Sequence, residues 1–205
     1  ASLIKHQSNV IEIACNNSEL LNFLRENKKI NANCAIIKSG KNLENYKNIN
    51  IKQINLLTDL SSNYNRDFDY AILDNKIHNL ENPKKVLREM LEIANYAIIS
   101  LENFAFIKNR FYFLFKGRIF NENLKIYNKY CTIADFKNLC SELDFSIEKE
   151  LFMIGGNFFS KNLMTNLFAK KGFFLIKKNE PSLTAQEDFI ETKQTLIPNS
   201  YQVAF

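Results

Sequence analysis

Phe68-Asp69-Tyr70-Ala71-Ile72-Leu73, then Asp74-Asn75, then a stretch opened by Pro83 and closed by Tyr96-Ala97-Ile98-Ile99-Ser100-Leu101, decides how this chain is organised. The first run is apolar and short, as expected of a strand buried on both faces, and Asp74-Asn75 ends it. Pro83 suits the first turn of a helix, where its missing N–H leaves nothing unsatisfied. Val86, Leu87, Met90, Leu91 and Ile93 then fall on one wide face. Tyr96 to Leu101 is a second buried strand. A strand, a crossing helix and another strand make a parallel unit.

The same alternation extends upstream. Val10-Ile11-Glu12-Ile13-Ala14 reads as the first strand, and Ser18 as the cap of a helix whose Leu20, Leu21 and Leu24 share a face. Cys34-Ala35-Ile36-Ile37 is the next strand, closed by Ser39-Gly40. A short polar helix from Asn42 to Lys47 leads to a strand from Ile49 to Ile54. Five strands alternating with helices predict a doubly wound α/β sheet with helices on both faces.

Downstream the pattern changes. Phe104 to Phe115 is rich in aromatic residues, with Lys108, Arg110 and Lys116 interleaved. Thr132 caps a helix running through Phe136 and Leu139 to Leu143. Phe145 to Met153 and Gly172 to Lys177 read as an antiparallel pair at the C-terminal edge of the sheet. The expected division is a domain over 1–178 and a polar tail over 179–205, which holds Pro181 and Pro198.

Bulk composition narrows the function. The 205 residues are 46% hydrophobic, enough for one ordinary core without disulfide staples. Twenty-seven basic and 22 acidic residues leave a net charge of +5, mild and dispersed, so no nucleic-acid partner is expected. Cys15, Cys34, Cys131 and Cys140 show no CxxC spacing, and they read as buried free thiols rather than a metal site. With no leader-like segment and no apolar run of about 18 residues, no membrane association is expected and a cytoplasmic protein is.

The residues also carry a family resemblance. Asn82-Pro83-Lys84-Lys85-Val86-Leu87-Arg88-Glu89-Met90-Leu91 is similar to a helix of the MetW proteins, methyltransferase-fold proteins of methionine biosynthesis. The similarity continues through Ile99-Ser100, Asn103-Phe104, Leu114-Phe115-Lys116-Gly117-Arg118, Cys131-Thr132-Ile133-Ala134-Asp135-Phe136 and Asn166-Leu167-Phe168-Ala169. It spans about residues 9 to 178 and is most specific between 82 and 143. The resemblance implies a Rossmann-like methyltransferase fold and S-adenosylmethionine as cofactor. It also implies a partner, the homoserine O-acyltransferase of methionine biosynthesis, with self-association as the other option.

The cofactor residues that the resemblance implies are Glu12, Ala14, Cys15, Asn16, Ser18, Asn55, Asp74 and Asn75, with His78 a further cleft candidate and no catalytic residue assigned. Several depart from the family pattern. The loop after strand one is expected to be glycine-rich, so that the backbone can turn and approach the cofactor closely. Here it reads Glu12-Ile13-Ala14-Cys15-Asn16-Asn17-Ser18 and holds no glycine. A ribose-binding carboxylate is expected after strand two. This chain offers Ile36-Ile37-Lys38-Ser39, with no acidic residue until Glu44, and Asn55 stands where an acidic residue near the adenine is expected. A charge-assisted hydrogen bond is worth about 1.5–3 kcal/mol, so these losses weaken the cofactor site.

Each candidate also has a structural reading. Glu12 can be a strand-end carboxylate bonded to backbone N–H groups, Cys15 a core thiol, and His78 a solvated loop residue. The aromatic segment 104–118 is a core-facing or partner-facing stripe, and its position favours an interaction surface. The resulting expectation is a non-catalytic or weakly catalytic MetW-like accessory protein. An active small-molecule methyltransferase is the alternative, and a degenerate domain kept for oligomeric contact is a third.

Overall fold

The computed structural model describes residues 2–15, 18–36, 49–53, 60, 64, 66–117, 131–160 and 164–179. The elements in chain order are β1 (Asn9–Ile13), α1 (Glu19–Lys28), β2 (Asn31–Ile36), β3 (Asn50–Gln53), β4 (Phe68–Leu73), a 3-10 turn (Ile77–Asn79), α2 (Pro83–Ile93) and β5 (Ala94–Glu102). They continue with α3 (Ile107–Lys116), α4 (Ile133–Glu142), β6 (Phe145–Ile154), β7 (Asn157–Phe159), α5 (Thr165–Phe168) and β8 (Lys171–Lys178).

The strands form one sheet in the order β3-β2-β1-β4-β5-β8-β6-β7. The first five are parallel, and β8 runs antiparallel between β5 and β6. This is the expected doubly wound α/β sheet with its antiparallel pair. The central strands β1, β4 and β5 are buried on both faces, and consecutive apolar residues such as Val10-Ile11, Tyr70 to Leu73 and Tyr96 to Ile99 make this possible. One face packs Ile11, Ile13, Leu73, Ile99 and Phe174 against α2 and α4. The other packs Val10, Tyr70, Ile72 and Ile98 against Leu21 and Leu24 of α1 and Ile4.

The helices form where their ends are satisfied. The Asn82 side chain accepts from Lys85 N, with Pro83 in the first turn. Thr132 and Asp135 make a reciprocal capping box at α4. Ser18 does occupy the N-cap position of α1, but its side chain makes no capping bond, because its backbone is already in the helical region at φ −93.

Three readings shift. β2 begins at Asn31, ahead of the apolar run, because Asn33 Nδ2 donates to Asn9 Oδ1 at 2.9 Å and Asn50 Nδ2 to Asn33 Oδ1 at 3.2 Å. A ladder of asparagine amides thus carries the sheet where no apolar pattern does. β7 is an added strand, joined to β6 through Gly155 and Gly156 at φ 57 and 89. Two successive positive φ values are what a type I′ hairpin turn requires. Cys131 is half-buried, whereas Cys15, Cys34 and Cys140 are buried. The expected helix over 42–47, Asn16, Asn17, Lys38, Ser39, Glu44, Asn55, Arg118 and the tail over 180–205 lie outside the described residues.

Candidate functional site

The chain's crossovers run from β1 towards β3 on one side and from β4 to β5 on the other, so the topology switches between β1 and β4. Ligands of open α/β sheets bind at such a switch, outside the carboxyl ends of the strands. Glu12, Ala14 and Cys15 end β1 there, and Asp74, Asn75 and Lys76 follow β4. The structure brings these six together. Ser18 is buried at the start of α1, and His78 lies half-buried in the 3-10 turn rather than out in solvent.

Glu12 shares the face of β1 that holds Val10 and is only 5% exposed. Burial pushes its carboxyl up to about 8, helped by Cys15 and Asp74 and opposed by the Lys76 ammonium. It also forms a side-chain hydrogen bond with Cys15. At neutral pH the carboxyl is therefore mostly protonated. Its Oε2 is buried and has no hydrogen-bond partner among the described residues, and the same holds for Asn75 Oδ1. Buried acceptors are rarely left so, and two at neighbouring strand ends suit a ligand that brings donors.

The loops around them are held by bonds that the sequence does not advertise. Ala14 takes φ 59 and Asn75 φ 49, both left-handed. Cys15 N donates to Ala35 O at 3.3 Å, tying the first loop to β2. Asn75 N donates to Ser100 Oγ at 2.8 Å, and that hydroxyl donates to Asp74 Oδ1 at 2.5 Å. Lys76 Nζ donates to Ala14 O, across from the β4 loop to the β1 loop. Ser100 and Lys76 thus join the candidate site through these bonds, and sequence reasoning passed over both. Ser100 carries part of the family resemblance, while Lys76 has no signal beyond its place after a strand end.

This pair of acceptors fits one end of a nucleoside–amino-acid sulfonium such as S-adenosylmethionine. Glu12 Oε2 and Asn75 Oδ1 can accept from its ammonium or hydroxyl groups. When bound, that molecule supplies a methyl group on a positively charged sulfur. Of the positions expected at the ribose, Ile36 ends β2 without a carboxylate, while Ile37, Lys38, Ser39 and Glu44, like Asn55 at the adenine, lie outside the described residues. Among the described residues no three His, Cys, Asp or Glu side chains gather as metal ligands.

An open sheet of this order, with its crevice at the β1–β4 switch and an antiparallel strand inserted beside β5, defines an α/β domain of the methyltransferase-fold class. Solved structures agree. A methyltransferase from Thermotoga maritima, described as S-adenosylmethionine-dependent and a possible histamine N-methyltransferase, superposes with a TM-score of 0.60 at 12% identity, over 87% of this chain and 85% of that one. An S-adenosylmethionine-dependent methyltransferase from Archaeoglobus fulgidus gives 0.60 at 16%, over 87% and 89%. At such identities the likeness is one of fold.

The family follows from sequence. Residues 1–176 match the model of the methionine biosynthesis protein MetW, and the chain belongs to that family. A relative from Rhodopirellula baltica, a bifunctional methionine biosynthesis protein MetXA/MetW, is 26% identical over 167 residues. That match takes in 73% of this chain but only 27% of the relative, so the chain spans about a quarter of that protein's length.

Proposed function

We propose that this chain is an accessory protein of methionine biosynthesis that binds a homoserine O-acyltransferase and supports its activity, with little or no catalysis of its own. The observation that carries this reading is the Rhodopirellula relative, whose single chain joins a MetXA and a MetW function. Two activities joined in one polypeptide in one organism commonly act as separate partners in another, because linkage only raises an effective concentration. Residues 1–178 are the unit proposed to do this, with 179–205 as an appended segment. The test is acyl transfer to homoserine by the cognate enzyme, with and without this chain. A several-fold rise in rate at equimolar ratio supports the reading, and an unchanged rate with no detectable complex overturns it.

A second reading, an active S-adenosylmethionine-dependent methyltransferase, is favoured by the partnerless acceptors Glu12 Oε2 and Asn75 Oδ1 at the crevice. The altered loop and the Lys76 ammonium on Ala14 O weigh against it. Titration calorimetry with S-adenosylmethionine and its demethylated product separates the two. Micromolar affinity favours the enzyme, and no heat up to millimolar ligand favours the accessory role.

A further inference from the structure

α3 leaves the C-terminal end of β5 and buries none of its side chains. Ile107, Phe111, Leu114 and Phe115 recur at helical spacing on one face, with Phe111, Leu114 and Phe115 exposed by 52, 72 and 75%. The rings of Phe111 and Phe115 stack in parallel at 6.0 Å. The helix contains no acidic residue; Lys108 and Arg110 flank its apolar face by helical spacing, and Lys116 adds a third positive charge in the last turn. Contiguous exposed apolar surface of this kind marks an interface rather than a monomer's ordinary surface.

The root of the helix is built to hold it in place. Asn103 is buried, and its Oδ1 accepts from Ala105 N at 3.1 Å and Ile133 N at 3.3 Å. Its Nδ2 donates to Asn166 O and Ala169 O at 3.0 and 2.9 Å. Arg110 Nε donates to Ala105 O at 2.7 Å, and Gly117 closes the far end in the left-handed conformation. One saturated amide therefore fixes α3 relative to α4 and to α5, which carries the exposed Phe168. A ten-residue helix is marginal by itself. Fixing its root lowers the ordering cost of presenting its face to another protein.

We propose that the Phe111–Leu114–Phe115 face of α3 is the surface by which this chain docks on its acyltransferase, in an apolar groove rimmed by acidic side chains. The inference rests on the accessory reading above. Charge selects the occupant: three basic residues without an acid on the helix complement an acidic rim, and the apolar stripe fills a groove in the manner of an amphipathic helix.

The experiment is calorimetric binding of the full-length chain to the purified cognate acyltransferase, with Leu114→Glu/Phe115→Glu and Lys108→Glu variants. Thermal unfolding serves as the control that each variant folds. The double variant is expected to bind about 30-fold more weakly with an unchanged melting temperature. Lys108→Glu is expected to bind a few-fold more weakly, mainly at low salt. Hydrogen exchange over 107–116 is expected to slow in the complex relative to the free chain. Wild-type binding with undiminished affinity of the double variant overturns the docking face and leaves the accessory reading standing. No binding by wild type overturns both. A lowered melting temperature of the double variant in the dilute free chain assigns the face to this chain's own residues. Self-association lost in the double variant assigns it to a second copy, and either result overturns the proposal.

Discussion

The ammonium of Lys76 donates a hydrogen bond to the backbone carbonyl of Ala14, so the loop after β4 is tied to the loop after β1 across the crevice. Ala14 is buried, and its carbonyl loses a charge-assisted donor if Lys76 is replaced. Lys76→Met is expected to lower stability by about 1.5–3 kcal/mol, read as a shift in the urea midpoint. Because the ammonium also lowers the Glu12 carboxyl, the variant should raise the Glu12 titration midpoint further, as followed by carboxyl NMR. A downward shift would contradict the placement of Lys76.

Glu12 makes stability depend on pH. Its folded-state value is raised from 4.5 to about 8, so between these values the folded chain holds a proton that the unfolded chain has released. Stability is therefore fully present below pH 4.5, falls as pH rises, and levels off above 8. The loss from this group is on the order of 5 kcal/mol. Glu12→Gln should flatten that slope and make the variant more stable than wild type at pH 8. Urea unfolding at pH 5.5 and 8 measures both.

The same proton governs ligand binding at the crevice. A cationic ligand group favours ionised Glu12, so its affinity should rise by up to about tenfold per pH unit from pH 6 to 8. Glu12→Gln should abolish the trend. Calorimetry in buffers of different ionisation enthalpy should detect about one proton released near neutrality, and no release would count against contact with Glu12.

Ala14 stands in the left-handed region at φ 59, which costs an L-residue about 1–2 kcal/mol. Ala14→Gly should relieve that strain and offset the small loss of buried methyl surface, for a net gain of about 1 kcal/mol in thermal unfolding. A loss of stability would mean that the methyl's packing matters more than the backbone.

Gly172 tests the opposite constraint. A Cβ there would meet Phe174 Cε2 at 2.8 Å, and the Phe174 ring is wedged between Phe136 and Phe152 with ring centroids at 4.7 and 5.9 Å. Gly172→Ala is expected to destabilise the domain by about 1–3 kcal/mol through overpacking. A chemical denaturation curve coincident with wild type would show that the ring can move.

The architecture was legible because burial on both faces makes the middles of strands such as Phe68–Leu73 and Ala94–Glu102 apolar runs, Tyr70–Leu73 and Tyr96–Ile99, and the α2 stripe repeats at helical spacing. The family was legible in the segment from Asn82 to Leu143, and so were Glu12, Asp74 and Asn75, whose place at strand ends is a matter of order along the chain. The beginning of β2 was hidden because its ladder is made by asparagine amides, and β7 because the hairpin is set by two positive φ values.

Sequence by itself determined the doubly wound sheet, the candidate residues at its strand ends and the family, since hydrophobic period and the succession of elements are written locally along the chain. Only the tertiary structure decided that Glu12 is buried beside Cys15 and Lys76, that Ser100 clamps Asp74 and Asn75, and that the aromatic face of α3 stays uncovered among the described residues. Each of these depends on contacts between residues far apart in the chain. Desolvation and exposure are set by what folds against a side chain, which no spacing encodes.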